Sequence, residues 1–202
     1  MAESPTSAPA GAVGERTTYE EFLRCFEGES AEWVDGWVYP MSPVGREHQR
    51  IGLFLASILH EWVEARHAGE VFYEKLQMRL ASTGREPDII FVRADHLHRV
   101  SETYLDGPGD IAIEIVSAES KGRDRGDKYF EYEQGGVPEY WIIDPERRVA
   151  EFYQQDQQGL FRLRDAPGGI YRSRELEGFW LRVDWLWDRP AVAAVLAELG
   201  LR

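Results

Sequence analysis

The chain has 202 residues, of which 43% are apolar and 12% aromatic. This is enough for one domain with a well-buried core and too little for two large domains. The formal charge of −13 argues against tight, metal-free binding to DNA or RNA, because nucleic-acid-binding proteins usually carry a basic surface. A nuclease is compatible with this charge, since a divalent cation brings local positive charge to its site.

The ends of the chain and its single cysteine limit the domain boundaries, the localisation and the cysteine chemistry that can be expected. Residues 1–16 are rich in Ala, Ser, Pro, Gly and Thr, which predicts a disordered tail ahead of one domain over 17–202. The absence of a long apolar run and of a signal-peptide pattern predicts a soluble, cytoplasmic protein. Cys25 is the only cysteine, which excludes an internal disulfide and a cysteine-based zinc site. We expect it to be a small core residue on an amphipathic helix.

The chain begins with a predicted helix and a predicted hairpin. Thr18 and Glu21 have the spacing of a capping box, which predicts a short helix carrying apolar side chains. Two short apolar segments then flank Asp35 and Gly36, and an Asp-Gly pair in this setting indicates a tight β-hairpin turn.

The rest of the chain predicts an α+β fold with a mixed sheet flanked by helices. In chain order, hydrophobic spacing predicts a helix over 46–67, strands over 71–80, 89–92 and 110–116, a helix over 122–134, a strand over 140–144, a hairpin over 149–153 and 160–163, an aromatic-rich strand within 177–187 and a terminal helix over 189–201. The helix over 122–134 has crossover length, so the strands that it connects should be parallel.

One carboxylate interrupts the Ile-rich strand over 110–116. An apolar run of this kind predicts a strand covered on both faces. An ionised Glu114 inside it would be strongly unfavourable unless a counter-charge or a metal ion holds it. The residue therefore indicates either a functional carboxylate or a structural ion pair in the core.

Two more polar residues can be grouped with Glu114. Asp88 follows a proline at the start of a predicted strand, and Lys128 lies on the helix after Glu114. Carboxylates are suitable ligands for Mg²⁺ or Mn²⁺, and a lysine can orient or deprotonate water or stabilise developing negative charge. This combination suits metal-assisted hydrolysis of a phosphodiester. The alternatives are an ordinary turn at Asp88 and a helical pair between Lys128 and Asp124.

These motifs resemble the Uma-type family of endonucleases, which belongs to the PD-(D/E)XK nuclease superfamily. The resemblance covers about residues 18 to 187 and is carried by Pro87-Asp88, Glu114 and the segments 123–129 and 136–145, with Asp-x-x-x-Lys and Gly-Val-x-Glu-Tyr-Trp as its most specific parts. It implies a restriction endonuclease-like αβββαβ core with an additional C-terminal hairpin or strand. It also implies a nucleic-acid substrate, with DNA preferred, and a homodimer.

The resemblance also implies roles for individual residues. Asp88 matches the Asp of the Pro-Asp motif and Glu114 the (D/E) position, which makes both of them implied metal ligands. Val116 stands where the superfamily has its lysine. In the Uma-type family this role is thought to have moved to the following helix, which implicates Lys128.

Accessory residues follow from the same comparison. Glu47 is a candidate for an acidic residue of the first core helix, and His48 lies where that helix begins, which is also an ordinary place for a polar residue. Gln77 or Glu74 could reach the site from the strand before Asp88, but strand alternation places them on opposite faces. Asp124 is a further possible accessory residue.

The candidates for phosphate contacts are basic residues near the site in sequence. They are Arg123 and Arg125 above all, with Lys121 and Arg99. The aromatic segment over 179–187 is interpreted as strand core or a dimer face rather than as a base-stacking surface.

Three functions remain as hypotheses. The first is an Mg²⁺- or Mn²⁺-dependent nuclease that uses Asp88, Glu114 and Lys128. The second is a non-catalytic binding or scaffold protein that retains the nuclease fold, which the charge of −13 favours. The third is a metal-dependent hydrolase that acts on a smaller substrate. Because polar residues occupy all three candidate positions, we prefer an enzyme.

Overall fold

The structure, a computed structural model, describes residues 8–74, 76–117 and 121–201. The predicted tail over 1–16 therefore lies partly outside the described residues, at 1–7. In its described part, the Val13 amide donates a hydrogen bond of 2.9 Å to the Val38 carbonyl. This part of the tail consequently lies against the rest of the domain.

Helices and strands alternate along the chain in an α+β arrangement. The helices are α1 (Tyr19–Cys25), α2 (Arg46–Arg66), α3 (Lys121–Asp124), α4 (Asp127–Gly135), α5 (Trp185–Asp188) and α6 (Val192–Glu198). The strands are β1 (Ala31–Val34), β2 (Trp37–Pro40), β3 (Gly69–Tyr73), β4 (Gln77–Arg79), β5 (Thr83–Arg85), β6 (Ile89–Arg93), β7 (Tyr104–Asp106), β8 (Ile111–Ile115), β9 (Glu139–Asp144), β10 (Val149–Gln155), β11 (Phe161–Leu163), β12 (Ile170–Arg172) and β13 (Trp180–Arg182). Two 3-10 turns occupy Ala94–Arg99 and Pro167–Gly169.

The main sheet is mixed, and its strand order is β11-β10-β9-β8-β6-β3. Strands β8 and β9 are parallel, whereas the other neighbouring pairs are antiparallel. Helices α3 and α4 form the connection between β8 and β9. The predictions of a mixed sheet and of a crossover in this place are both confirmed.

The two faces of β8 pack against different parts of the protein. Ile111, Ile113 and Ile115 belong to a core cluster with α2, α6 and the C-terminal segment, whereas Ala112 and Val116 belong to a cluster that includes Tyr132 of α4. Both faces are buried, which explains the near-continuous apolar sequence of this strand. By strand alternation Glu114 lies on the face of Ala112 and Val116, towards α4.

A second sheet, in the order β2-β1-β5-β4-β7, contains the predicted N-terminal hairpin. Asp35 and Gly36 connect β1 to β2 with φ values of 49° and 88°. Positive φ at both central residues is the requirement of a type I′ turn, so the Asp-Gly prediction is confirmed. The predicted capping box is also present, since Thr18 Oγ1 accepts a hydrogen bond from the Glu21 amide.

Two predicted elements are interrupted in the structure. The strand predicted over 71–80 is divided into β3 and β4, which belong to different sheets, and Glu74 between them has a φ of 58°. The helix predicted over 122–134 is divided into α3 and α4 by Gly126. A Cβ atom on Gly126 would lie 2.6 Å from the Gly122 carbonyl oxygen, so the chain needs glycine at this break.

Two other predictions are corrected by packing. Within 177–187 only β13 is a strand, and the chain then enters the short helix α5, which places Trp185 in the core. Cys25 is exposed, so its prediction as a core residue is wrong. The inner side of α1 is instead formed by Tyr19 and Phe22, with Leu23 partly buried against the same cluster.

Candidate active site

Glu114 is buried in the centre of the main sheet, and its carboxylate has two partners on α4. Its residual exposure is 4%. Oε1 accepts a hydrogen bond of 2.9 Å from Lys128 Nζ and one of 2.7 Å from the Tyr132 hydroxyl. The carboxylate within the apolar strand thus has the counter-charge that its burial requires.

Lys128 lies on the first turn of α4 and points into the protein, with 2% exposure. Besides Glu114, its ammonium lies 2.9 Å from Oε1 of Glu32 and 3.8 Å from Oδ1 of Asp124. The predicted helical pair with Asp124 is therefore longer than the contacts with Glu114 and Glu32. These two shorter contacts join Lys128 to the main sheet through Glu114 and to the second sheet through Glu32.

Sequence reasoning missed Glu32 and the ion pairs behind it. Glu32 lies on β1 with 1% exposure, and its Oε2 accepts a hydrogen bond of 2.8 Å from Arg85. Arg85 in turn donates bonds of 2.7 Å and 2.6 Å to the two carboxylate oxygens of Glu131 on α4. The available signal was the one that identified Glu114, a carboxylate within an apolar strand, here between Ala31 and Trp33.

Asp88 lies directly before β6 and beside Glu114. Ile89 pairs with Ile113 in the antiparallel ladder between β6 and β8, and continuing this register by one residue sets Asp88 opposite Glu114. Directly opposed residues project to the same face and have neighbouring Cβ atoms. The Asp88 side chain also accepts a hydrogen bond of 2.6 Å from the Ile115 amide, which ties it to β8.

The charges in this cluster have opposite effects on its carboxyl groups. Burial raises the pKa of Glu114 well above 4.5; Lys128 opposes this effect, and Asp124 and Asp88 add to it. Burial would also raise the pKa of Glu32, but the positive charges of Lys128 and Arg85 outweigh it and lower the pKa to about 2. Burial would lower the pKa of Lys128, yet Glu114, Glu32 and Asp124 raise it above its usual value. The ammonium of Lys128 is therefore fully charged at neutral pH.

A cleft of about 300 Å³ opens beside Asp88. His48 of α2 lines it, is 6% exposed, and has its Nε2 3.2 Å from Asp88 Oδ2. Within the part of the chain that the structure describes, the other ring nitrogen of His48 has no hydrogen-bond partner. The remaining residues of the lining are Ser30, Met41, Ser42, Pro43, Val44, Gln49, Glu74, Glu86 and Pro87. His48, for which the sequence left open an accessory role and an ordinary position at a helix start, is thus buried against a candidate ligand.

The other predicted accessory residues lie in different places. Glu47 is exposed and pairs with Arg50 at 3.3 Å and with Arg189 at 2.9 Å. Gln77 is buried and donates from Nε2 to the Ala31 carbonyl and to Glu86, a residue of the cleft lining. Glu74 lines the cleft and accepts a hydrogen bond of 2.8 Å from Gln49.

The predicted phosphate-binding arginines do not line the cleft beside Asp88. Arg125 donates a hydrogen bond of 2.7 Å to Glu151 and lies 3.4 Å from Asp144, so a phosphate would compete with two carboxylates. Arg123 lines a separate cavity that shares no lining residue with the Asp88 cleft. The side chain of Lys121 lies outside the described part of the structure, and Arg99 faces Asp110 at 3.9 Å at the other end of β8.

The oxygen donors of Asp88 and Glu114 fit a hard divalent cation. Across the described ranges, which omit residues 1–7, 75, 118–120 and 202, no three His, Cys, Asp or Glu side chains are grouped so that they could hold a metal ion. Mg²⁺, however, is commonly bound through only one or two carboxylates and keeps several waters. Asp88 and Glu114 are therefore candidate ligands for a cation that keeps several of its waters.

The mixed sheet and its flanking helices define a protein with the restriction endonuclease-like fold. A family model, Uma2, described as "Putative restriction endonuclease", matches residues 19–184. The chain therefore belongs to the Uma2 family of nucleases. A search of curated proteins found no match.

A solved structure has the same fold. It is the crystal structure of a "putative nuclease belonging to DUF820" from Anabaena variabilis. The TM-score is 0.72 at 18% sequence identity, over 85% of this chain and 98% of the other.

Among the helices of the described residues, none is long and apolar enough to cross a membrane.

Proposed function

We propose that this protein is an Mg²⁺- or Mn²⁺-dependent endonuclease that hydrolyses phosphodiester bonds in DNA. The observation that carries the proposal is the buried contact of 2.9 Å between Lys128 Nζ and Glu114 Oε1. Glu114 lies on β8, which pairs with the strand that begins directly after Asp88. Membership of a family described as restriction endonucleases supports DNA as the substrate.

Asp88 and Glu114 are the proposed metal ligands. The bound cation would lower the pKa of a water molecule and offset the charge of the scissile phosphate. The hydrogen bond from the Ile115 amide orients Asp88, and the Tyr132 hydroxyl together with Lys128 orients Glu114. Both carboxylates are therefore fixed by the fold before any ligand arrives.

The role that we assign to Lys128 is electrostatic. Its raised pKa keeps the ammonium protonated, which favours stabilisation of negative charge on the phosphate and the attacking oxygen over removal of a proton from water. Substrate would approach from the cleft beside Asp88, since Glu114 and Lys128 are almost inaccessible. The acidic lining of that cleft and the charge of −13 make binding dependent on the divalent cation.

The proposal is tested by incubating the protein with supercoiled plasmid, single-stranded DNA and RNA, with Mg²⁺, Mn²⁺ or a chelator. We expect metal-dependent nicking of the plasmid by the wild type and its loss in Glu114→Gln and Lys128→Ala. Calorimetric titration with Mn²⁺ should give binding to the wild type and none to Glu114→Gln. Equal binding by the two proteins would remove Glu114 as a ligand, and unchanged cleavage by Lys128→Ala would remove the role of Lys128.

The second candidate function is that of a non-catalytic protein that retains the nuclease fold. It is favoured by the closed set of ion pairs, in which Lys128 and Arg85 already satisfy buried carboxylates, and by the net charge of −13. If the wild type binds no Mn²⁺ and cleaves none of the three nucleic acids, this function replaces the first.

A further inference from the structure

Lys128 is held from two sides by carboxylates of different sheets. Glu32 on β1 and Glu114 on β8 each lie 2.9 Å from its Nζ atom. All three side chains are at most 5% exposed. Glu114 alone could neutralise the ammonium, and Arg85 alone could neutralise Glu32, so charge balance does not require the contact between Glu32 and Lys128.

Glu32 is itself fixed in position. One of its oxygens faces Lys128 and the other accepts the bond from Arg85, while Glu131 binds Arg85 from the opposite side. Arg85 lies on β5, which pairs directly with β1. The orientation of Glu32 therefore does not depend on Lys128 alone.

We propose that Glu32 is a positioning residue, which keeps the Lys128 ammonium beside Glu114 when Glu114 binds a divalent cation. A cation at Glu114 repels Lys128 and competes with it for the same carboxylate. Glu32, on the other sheet and away from the cleft lining, keeps its contact with Lys128 and so prevents the ammonium from leaving. This inference rests on the proposed nuclease function and assigns to β1 a part in it.

The first test does not depend on catalysis. The protein is treated with an amine-reactive ester under single-hit conditions, with and without Mn²⁺, and modification of Lys128 is followed by mass spectrometry in the wild type, Glu32→Gln and Glu131→Gln. Glu131→Gln is the matched control, because it removes a carboxylate from the same set of ion pairs without a contact to Lys128. In the presence of Mn²⁺ we expect Lys128 to lose its protection in Glu32→Gln and to keep it in Glu131→Gln. Equal protection in all three proteins would overturn the proposal.

The second test measures plasmid nicking with Mn²⁺. Groups that act around a metal ligand typically change affinity or activity by about 10–100-fold. We expect Glu32→Gln to lower kcat within this range with little change in KM, and Glu131→Gln to keep a kcat near that of the wild type. Equal losses in Glu32→Gln and Glu131→Gln would show that Glu32 does not act through its contact with Lys128.

The outcomes separate this inference from the function on which it rests. If the wild type binds Mn²⁺ but does not cleave nucleic acid, the nuclease proposal fails, and the labelling experiment still decides whether Glu32 holds Lys128. If the wild type binds no Mn²⁺, both proposals fail. If the wild type cleaves and Glu32→Gln is fully active, only the positioning role fails. If Glu32→Gln does not fold, both measurements are made on Glu32→Asp. This variant keeps the charge but shortens the side chain, so it should lose the same protection and activity.

Discussion

Lys128 Nζ, on the first turn of α4, lies 2.9 Å from Oε1 of Glu114 in the middle of β8. This contact joins the crossover helix to the central strand of the main sheet. It also places a positive charge beside Glu114, although the residue two positions after Glu114 in this chain is Val116. Stability, pH response and the proposed chemistry all depend on this pair and its neighbours.

Removing Lys128 should be strongly destabilising. Lys128→Met would leave Glu32 and Glu114 buried close together without their shared cation, and we expect a loss of about 3–5 kcal/mol in the free energy of unfolding. Urea denaturation measures it. As a control, Arg148→Met breaks an ion pair with Asp188 in which both side chains are more than 60% exposed, and it should cost under about 1 kcal/mol. A similar loss in the two variants would contradict a buried, charged Lys128.

The raised pKa of Glu114 predicts how stability changes with pH in the absence of metal. Its folded-state pKa lies above the ordinary value of 4.5, so its contribution is fully present below about pH 4.5 and is lost as pH rises through the folded-state pKa. Glu114→Gln cannot ionise and should avoid this loss. The difference in Tm between Glu114→Gln and the wild type should therefore favour the variant more at about pH 8 than at about pH 4. A constant difference in Tm across this range would contradict the raised pKa.

Glu32 should show the opposite dependence. Its pKa is lowered from 4.5 to about 2, so its contribution is present above pH 4.5 and is lost as pH falls towards 2. Glu32→Gln should lack this loss, and its Tm should approach that of the wild type as the solution is acidified. The measurement is thermal unfolding by circular dichroism over the acid range. A Tm difference that stays constant there would show that Glu32 is not ionised in the folded protein.

Asp88 should separate stability from metal binding. Asp88→Asn retains a carbonyl oxygen that can accept the hydrogen bond from the Ile115 amide, so we expect a small change in Tm and a loss of Mn²⁺ binding. Asp88→Ala leaves that amide without its partner, which should cost about 1–3 kcal/mol. Chemical denaturation and calorimetry measure the two effects. Full Mn²⁺ affinity in Asp88→Asn would exclude Asp88 as a charged ligand.

The exposure of Cys25 can be checked directly. We expect its thiol to react with an aromatic disulfide reagent in the native protein. One equivalent of the aromatic thiolate should be released per chain before denaturant is added. Reaction only after unfolding would restore the buried position that the sequence predicted.

The fold was accessible from the sequence to a large extent because its signals are local. The Asp-Gly turn of the hairpin, the capping box at Thr18 and the crossover between β8 and β9 all depend on residues close together in the chain. The breaks at Glu74 and Gly126 were missed because they depend on tertiary pairing and on a close backbone approach. Hydrophobic spacing carries no information on either.

The candidate site divides in the same way. The sequence by itself determined that Glu114 needs a counter-charge, because an ionised carboxylate is unfavourable in an apolar strand. It also indicated Asp88 and Lys128 through their positions and motifs. Only the tertiary structure decided that Lys128 points inward and that Glu32, from another sheet, shares it with Glu114. The physical reason is that Glu32 and Lys128 meet only when the two sheets and α4 pack together, and neither helical periodicity nor strand alternation specifies that contact.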